Sequence, residues 1–280
     1  MIKRDFTEPR ECLKKYIECL AYSEFHYPEK PFNYVLTPDG CTGLIIQNAP
    51  FCEYKLNEHG YVTPDRCFIL GQTKRAIIVN YRSGYRFLVK FKPWGAHYFL
   101  NAPMNLFTEK IIGLESALGR YGREICESVL NAPDKTAATN ILQDMLEKRF
   151  AHNLSSKKIE DDENIIDTVK KIIGSKHITR VIELLESSYY GKRHLSRKFH
   201  AIIGLNPKSF IKIIRLRLCL ENIRIKKVIS PEMLLKEFGY YDRSHMIREF
   251  KEILSLTPTS YLEERLRVID NIIGYKNACA

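Results

Sequence analysis

The sequence predicts an α+β chain in two parts: a strand-rich N-terminal half forming a β-barrel-like domain with helices, and an all-α C-terminal half. Three observations carry this. Short apolar runs separated by turn signals fill residues 1–105. From about residue 107 onward, apolar residues recur at three- and four-residue spacing, broken by one polar stretch. Near the C-terminus, GYYDRSHMIREF (239–250) repeats SYYGKRHLSRKF (188–199) at an offset of 51 residues.

The elements follow in order. Pro38–Asp39–Gly40 is a turn signal, and a short apolar strand follows at 44–46. RCFILGQT, RAIIVNY and YRFLVKFKPWG are further strands, broken at Gly71, at Ser83–Gly84 and at Pro93–Gly95. TEKIIGLESALG, RYGREICESVLNA and KTAATNILQDMLEKRF read as helices. The polar, aperiodic stretch 151–164 reads as a linker. The expected domains are therefore 1–150 and 165–268, with this linker between them. Past it, Ile165, Ile166, Val169, Ile172 and Ile173 share one helical face. ITRVIELLESS and KRHLSRKFHAII form the next two helices, and the long PKSFIKIIRLRLCLENIRIKK opens with Pro at a first-turn position. SPEMLLKEF, DRSHMIREFKEIL and TPTSYLEERLRVID open with Ser, Asp and Thr as N-caps.

The repeat thus yields two helix-turn-helix units, about 178–199 and 229–250, joined by the long helix. In each second helix an i,i+4 apolar pair packs: Leu195 with Phe199, and Met246 with Phe250. The opposite face carries Lys192, Arg193, Ser196 and Arg197 in the first copy. In the second it carries Arg243, Ser244, Ile247 and Arg248. Arginine pairs with guanine O6 and N7 in two-point fashion, and serine suits several acceptors. His194 and His245 either pack and cap or contact DNA. Lys208 and Lys212, at the start of the long helix, are candidate phosphate donors.

Charge agrees. The chain carries a formal +11, and residues 192–227 alone hold eleven Lys/Arg against one acid, Glu221. A strongly basic balance favours a polyanionic partner, nucleic acid or an acidic membrane surface, and its coincidence with the helix-turn-helix repeat favours double-stranded DNA, which the resemblance below makes promoter DNA.

Other classes are excluded or left open. No phosphate-binding loop, HExxH or GxSxG is present, and His26, His59 and His97 stand apart from acid or cysteine partners, so neither catalysis nor a cofactor is expected. Eight scattered cysteines form no metal pattern and are expected to be small buried or incidental residues in a reducing compartment. No signal peptide or membrane-length apolar run occurs, so the expected location is the cytoplasm, with no membrane partner. The aromatics Tyr34, Phe51, Phe68, Phe87 and Trp94 either line a ligand pocket in the barrel or fill it as core. An architectural or repair-associated nucleic-acid-binding protein is the alternative function.

GYYDRSHMIREFK followed by LTPTSYL resembles the C-terminal signature of the AraC/XylS transcription regulators. HLSRKFHAIIGLNPKSFIKIIRLR is similar to the first helix-turn-helix and linker helix of that module. The resemblance implies a bacterial regulator, an activator or a repressor, with RNA polymerase a partner if it is an activator. LTPDGCTGLII, LGQTKRAIIV, FLVKFKPWGAHYFL and LESALGRYGREICESVLNA resemble sensor domains found ahead of the module. They imply a cupin-like domain that binds a small-molecule effector or forms a homodimer. Ser255 stands where the family has a turn glycine, so a left-handed backbone there is strained.

Overall fold

The computed structural model describes residues 2–27, 32–49, 51–56, 60–155, 160–174, 192–226, 234–235 and 238–265. The N-terminal half holds nine strands among these: β1 (Ile2–Thr7), β2 (Ile17–Phe25), β3 (Phe32–Leu36), β4 (Thr42–Gln47), β5 (Cys52–Lys55), β6 (Cys67–Leu70), β7 (Ile77–Tyr81), β8 (Gly84–Phe91) and β9 (Ile111–Gly113). They form two sheets, one of six strands in the order β1-β2-β8-β4-β6-β9 and one of three in the order β3-β7-β5. The described strands therefore do not close into a barrel, which corrects that expectation. Two faces packed on each other bury the strands without closure.

The sheet lies between two cores. In β4, Leu44 and Ile46 face one core while Ile45 faces the other, as the two-residue side-chain period requires. The first core joins the sheet to α1 (Gly95–Leu100), α3 (Arg120–Leu130) and α4 (Lys135–Ser155). A short α2 (Leu114–Leu118) precedes α3. The second core fills the space between the sheets with packed rings, among them Phe25 stacked on Tyr81 at 4.4 Å and Tyr54 edge-on to Phe68 at 5.6 Å.

Three sequence expectations change here. Ile111 and Ile112 belong to a strand rather than a helix, because they pair with Leu70 and Ile69 at the sheet edge. Helix α4 runs on to Ser155 and α5 (Glu160–Gly174) begins five residues later, so most of 151–164 is helical. Asn153 explains the extension: it is buried and donates to the carbonyls of Tyr98 (2.7 Å) and Phe99 (2.9 Å). The cysteines are not all free. Cys67 at the start of β6 and Cys126 in α3 form a disulfide, with Cα atoms 6.0 Å apart.

The C-terminal half supplies α5, α6 (Lys192–Ile203), α7 (Pro207–Lys226), α8 (Arg243–Leu254) and α9 (Pro258–Arg265). Both cores continue into it. Ile165, Ile166, Val169 and Ile172 of α5 join the first, as do Phe210, Ile211, Ile213 and Ile214 of α7. Leu216, Cys219, Leu220 and Ile223 of the same α7 join the second, with Met246 and Phe250 of α8. The first helix expected of unit one, with Tyr189 and Tyr190, lies outside the described residues, as does most of that of unit two.

Candidate nucleic-acid interface

Helix α6 buries Leu195, Phe199, Ile202 and Ile203, and Phe199 meets Phe210 of α7 edge-on at 5.6 Å. The opposite face exposes Arg193 and Arg197, with Ser196 half-buried beside them. Arg197 Nη2 lies 3.4 Å from His194 Nδ1, so His194 steadies the guanidinium. Lys192 opens the helix, but its side chain lies outside the described residues. His200 is exposed on the same face and, with Asn206, borders a shallow concavity next to Arg193, Ser196 and Arg197. The sequence reading missed His200, although its spacing of three from Arg197 and seven from Arg193 is a helical-face signal.

Helix α6 ends at Gly204, whose φ of +90° and closeness to Thr108 both require glycine: a Cβ there would lie 2.7 Å from the Thr108 hydroxyl. Asn206 then caps α7, accepting from the Ser209 amide at 2.8 Å. Lys208 is exposed in the first turn of α7. Lys212 instead pairs with Glu252 of α8 at 2.9 Å.

Helix α8 starts as its sequence dictates: the Asp242 carboxylate accepts from the His245 amide at 2.7 Å. Met246, Phe250, Ile253 and Leu254 pack inward. Arg243, Ser244 and Arg248 are exposed and Ile247 is half-buried. Among the described residues Arg193, Arg197, Arg243 and Arg248 make no ion pair. The two tyrosines before the helix part company. Tyr240 is buried, and burial, aided by Cys219, pushes its phenol well above the usual range. Tyr241 is 93% exposed at the tip of the turn.

A buried charge network fixes α8 on α7. Glu249, 2% exposed, accepts from Arg215 Nη2 at 3.1 Å and lies 3.2 Å from His245 Nε2. Arg215 also donates to the Gly239 carbonyl at 3.1 Å and stacks over Tyr240 at 4.8 Å. His245 and Lys212 are thus each paired with a carboxylate of α8, Glu249 and Glu252 respectively.

The five aromatic ligand candidates are buried side chains, the second of the two readings their sequence allows. Tyr34, Phe51, Phe68, Phe87 and Trp94 are each at most 5% exposed. Phe51 and Tyr34 pack on the Phe25–Tyr81 stack, Phe87 on Tyr22, and the Trp94 indole donates to the Lys15 carbonyl at 3.0 Å. The cavity lies elsewhere, between the sheets and α7. It measures about 150 Å³ and is walled by Leu36, Ile45, Tyr54, Leu70, Leu88 and Leu220. At its rim Lys90 holds Asp39 at 2.8 Å and Glu18 at 3.3 Å, and Arg217 of α7 donates to the Asp39 carbonyl at 3.0 Å. Burial works against the Asp39 charge, but Lys90 and Arg217 hold its carboxyl below the usual range. Burial likewise opposes the Lys90 charge, which Asp39, Cys41 and Glu18 outweigh, so the ammonium titrates well above its usual value.

Comparison with known proteins adds the following. A helix-turn-helix domain family matches residues 184–264, and a domain of unknown function (DUF6597) matches residues 6–113. No curated protein matches the sequence. Among solved structures, ToxT from Vibrio cholerae is similar over 94% of this chain and 98% of its own, at 11% identity and a TM-score of 0.40. Unsaturated-fatty-acid-bound ToxT from the same organism is 10% identical over 97% and 96%, with a TM-score of 0.39. The AraC-like transcriptional activator CuxR is 9% identical over 95% and 84%, with a TM-score of 0.23. The helix-turn-helix match spans both repeat copies and the basic window, and the C-terminal part of the chain carries an AraC-type helix-turn-helix domain.

Proposed function

We propose that the protein is a sequence-specific transcription regulator that reads promoter DNA with α6 and α8. One observation carries the reading. Two helices related by a 51-residue repeat each bury an apolar back and expose arginines that, among the described residues, pair with no carboxylate. A surface guanidinium with no carboxylate partner is available to a phosphate or a guanine edge. In this reading Arg193, Ser196, Arg197 and His200 form one contact surface, and Arg243, Ser244, Ile247 and Arg248 the other. Lys192 and Lys208 reach phosphates, His194 orients Arg197, and Lys212 and His245 hold the scaffold.

The test is binding to a duplex selected from a random library at fixed salt. Arg197→Ala and Arg248→Ala are each expected to weaken specific binding by about 1–3 kcal/mol. Wild-type affinity in both variants would reject the assignment.

The finer reading is an activator, acting with RNA polymerase as a homodimer or alone, whose N-terminal half takes an effector. The cavity beside α7 supports the effector: it is mostly apolar, ringed by charge, and shared between both halves of the chain. It suits a compact molecule with an apolar body and a polar end. A thermal-shift screen of such compounds should find stabilising ligands, and Leu88→Trp should abolish each shift by filling the cavity. A shift that survives Leu88→Trp places the ligand elsewhere.

A further inference from the structure

The connection between β6 and β7, residues 71–76, touches both helices proposed to read DNA. The buried side chain of Gln72 donates from Nε2 to the carbonyl of Ile203, the last residue of α6, at 2.7 Å. Four residues on, the Ala76 amide donates to the carbonyl of Ile253, in the last turn of α8, at 2.7 Å. Thr108 adds a third tie, from its hydroxyl to the Gly204 carbonyl at 2.7 Å. Carbonyls in the last turn of a helix have no partner within it. One short segment and its neighbour therefore take up such groups at the ends of both helices and leave their exposed faces clear.

The segment itself is firmly seated. Gly71 donates to the Lys110 carbonyl at 3.0 Å, and Glu109 donates to the Gln72 carbonyl at 2.8 Å. A Cβ on Gly71 would sit 1.8 Å from the Phe107 carbonyl oxygen, so the two strands of chain meet at backbone contact. The other side of the segment faces the cavity: Gly71 and Thr73 line it.

We infer that residues 71–76 act as a spacer that fixes the separation and relative rotation of α6 and α8, so that Gln72, Ala76 and Thr108 are positioning residues for operator spacing. The inference rests on the DNA-binding reading. Two helices that enter successive major grooves must match the pitch of the duplex. One inserted base pair rotates one half-site about a tenth of a turn relative to the other. A rigidly spaced pair discriminates against that insertion, and a loosely spaced pair does not. An occupant of the cavity would press on Gly71 and Thr73, and through them on both ties.

The test uses the full-length protein and the selected duplex, with and without one base pair inserted between its half-sites. The insertion should weaken wild-type binding about tenfold or more, as a misplaced contact does. Gln72→Met with Thr108→Val keeps the shapes and deletes both side-chain donors. In that variant the insertion should cost less than about threefold, while binding to the best site weakens. An unchanged spacing penalty in the variant, or a wild type indifferent to the insertion, overturns the inference and leaves DNA binding intact. A wild type that binds no duplex overturns both. Should the double variant not fold, amide exchange in the wild type decides: a protected Ala76 amide and a relaxed penalty in Thr108→Val alone uphold the spacer. Fast exchange at Ala76 refutes it.

Discussion

The Glu249 carboxyl is 2% exposed, and Arg215 meets it from the neighbouring helix at 3.1 Å. Removing one member of such a pair strands the other in a medium that solvates it poorly. Glu249→Ala is expected to destabilise the protein by about 3–5 kcal/mol in urea unfolding, and adding Arg215→Met should recover much of the loss. If the single variant unfolds at the wild-type midpoint, the pair is not the fastening described. Ser255 is a second residue that departs from its neighbours: its φ is +61°, with the backbone left-handed at the end of α8. That strain was legible in the sequence, because a glycine position occupied by serine names its own conformation. The Glu249 network was not legible. Its members are separated by up to 34 residues, and nothing local to Arg215 distinguishes it from the exposed arginines nearby.

At the scale of elements, the helices around the interface could be read closely because their ends are written locally. Asp242 caps α8, Thr257 caps α9 by accepting from Ser260 at 3.0 Å, and Pro207 opens α7. The strands were harder. β4 is buried on both faces, so its apolar run carries no alternation. β1 alternates along its length but is charged and sits at the sheet edge. The aromatic side chains could be read as pocket lining or as core for a related reason. Hydrophobic size marks burial equally well in a cavity wall and in a filled interior, and only the sheet pairing decides which. The ties from Gln72 and Thr108 span 131 and 96 residues and leave no local trace at all.

At the scale of the whole molecule, the disulfide between Cys67 and Cys126 closes a loop with a sequence separation of 59 residues. That loop contains Gln72, Ala76 and Thr108, the three donors that hold α6 and α8. By the chain-entropy argument a cross-link over such a loop stabilises by about 4 kcal/mol. Thermal unfolding should therefore fall by several degrees when a thiol reductant is added, and Cys126→Ser should show the lower midpoint with or without it. A melt insensitive to reductant in the wild type would mean that the two sulfurs are not joined in solution.

Helix α7 gives the halves a common fate. Its first turns lie in one core and its later turns in the other, and each core is completed by strands from the opposite half of the chain. The chain is therefore a poor source of interchangeable parts. A cut between α4 and α5 would leave the face of Ile165, Ile166, Val169 and Ile172 without its cover, and a foreign sensor grafted there would not supply one. Regulators that recombine freely need a seam that can be opened; in this protein evolution has welded it, and new specificities must arise by substitution within the joined body.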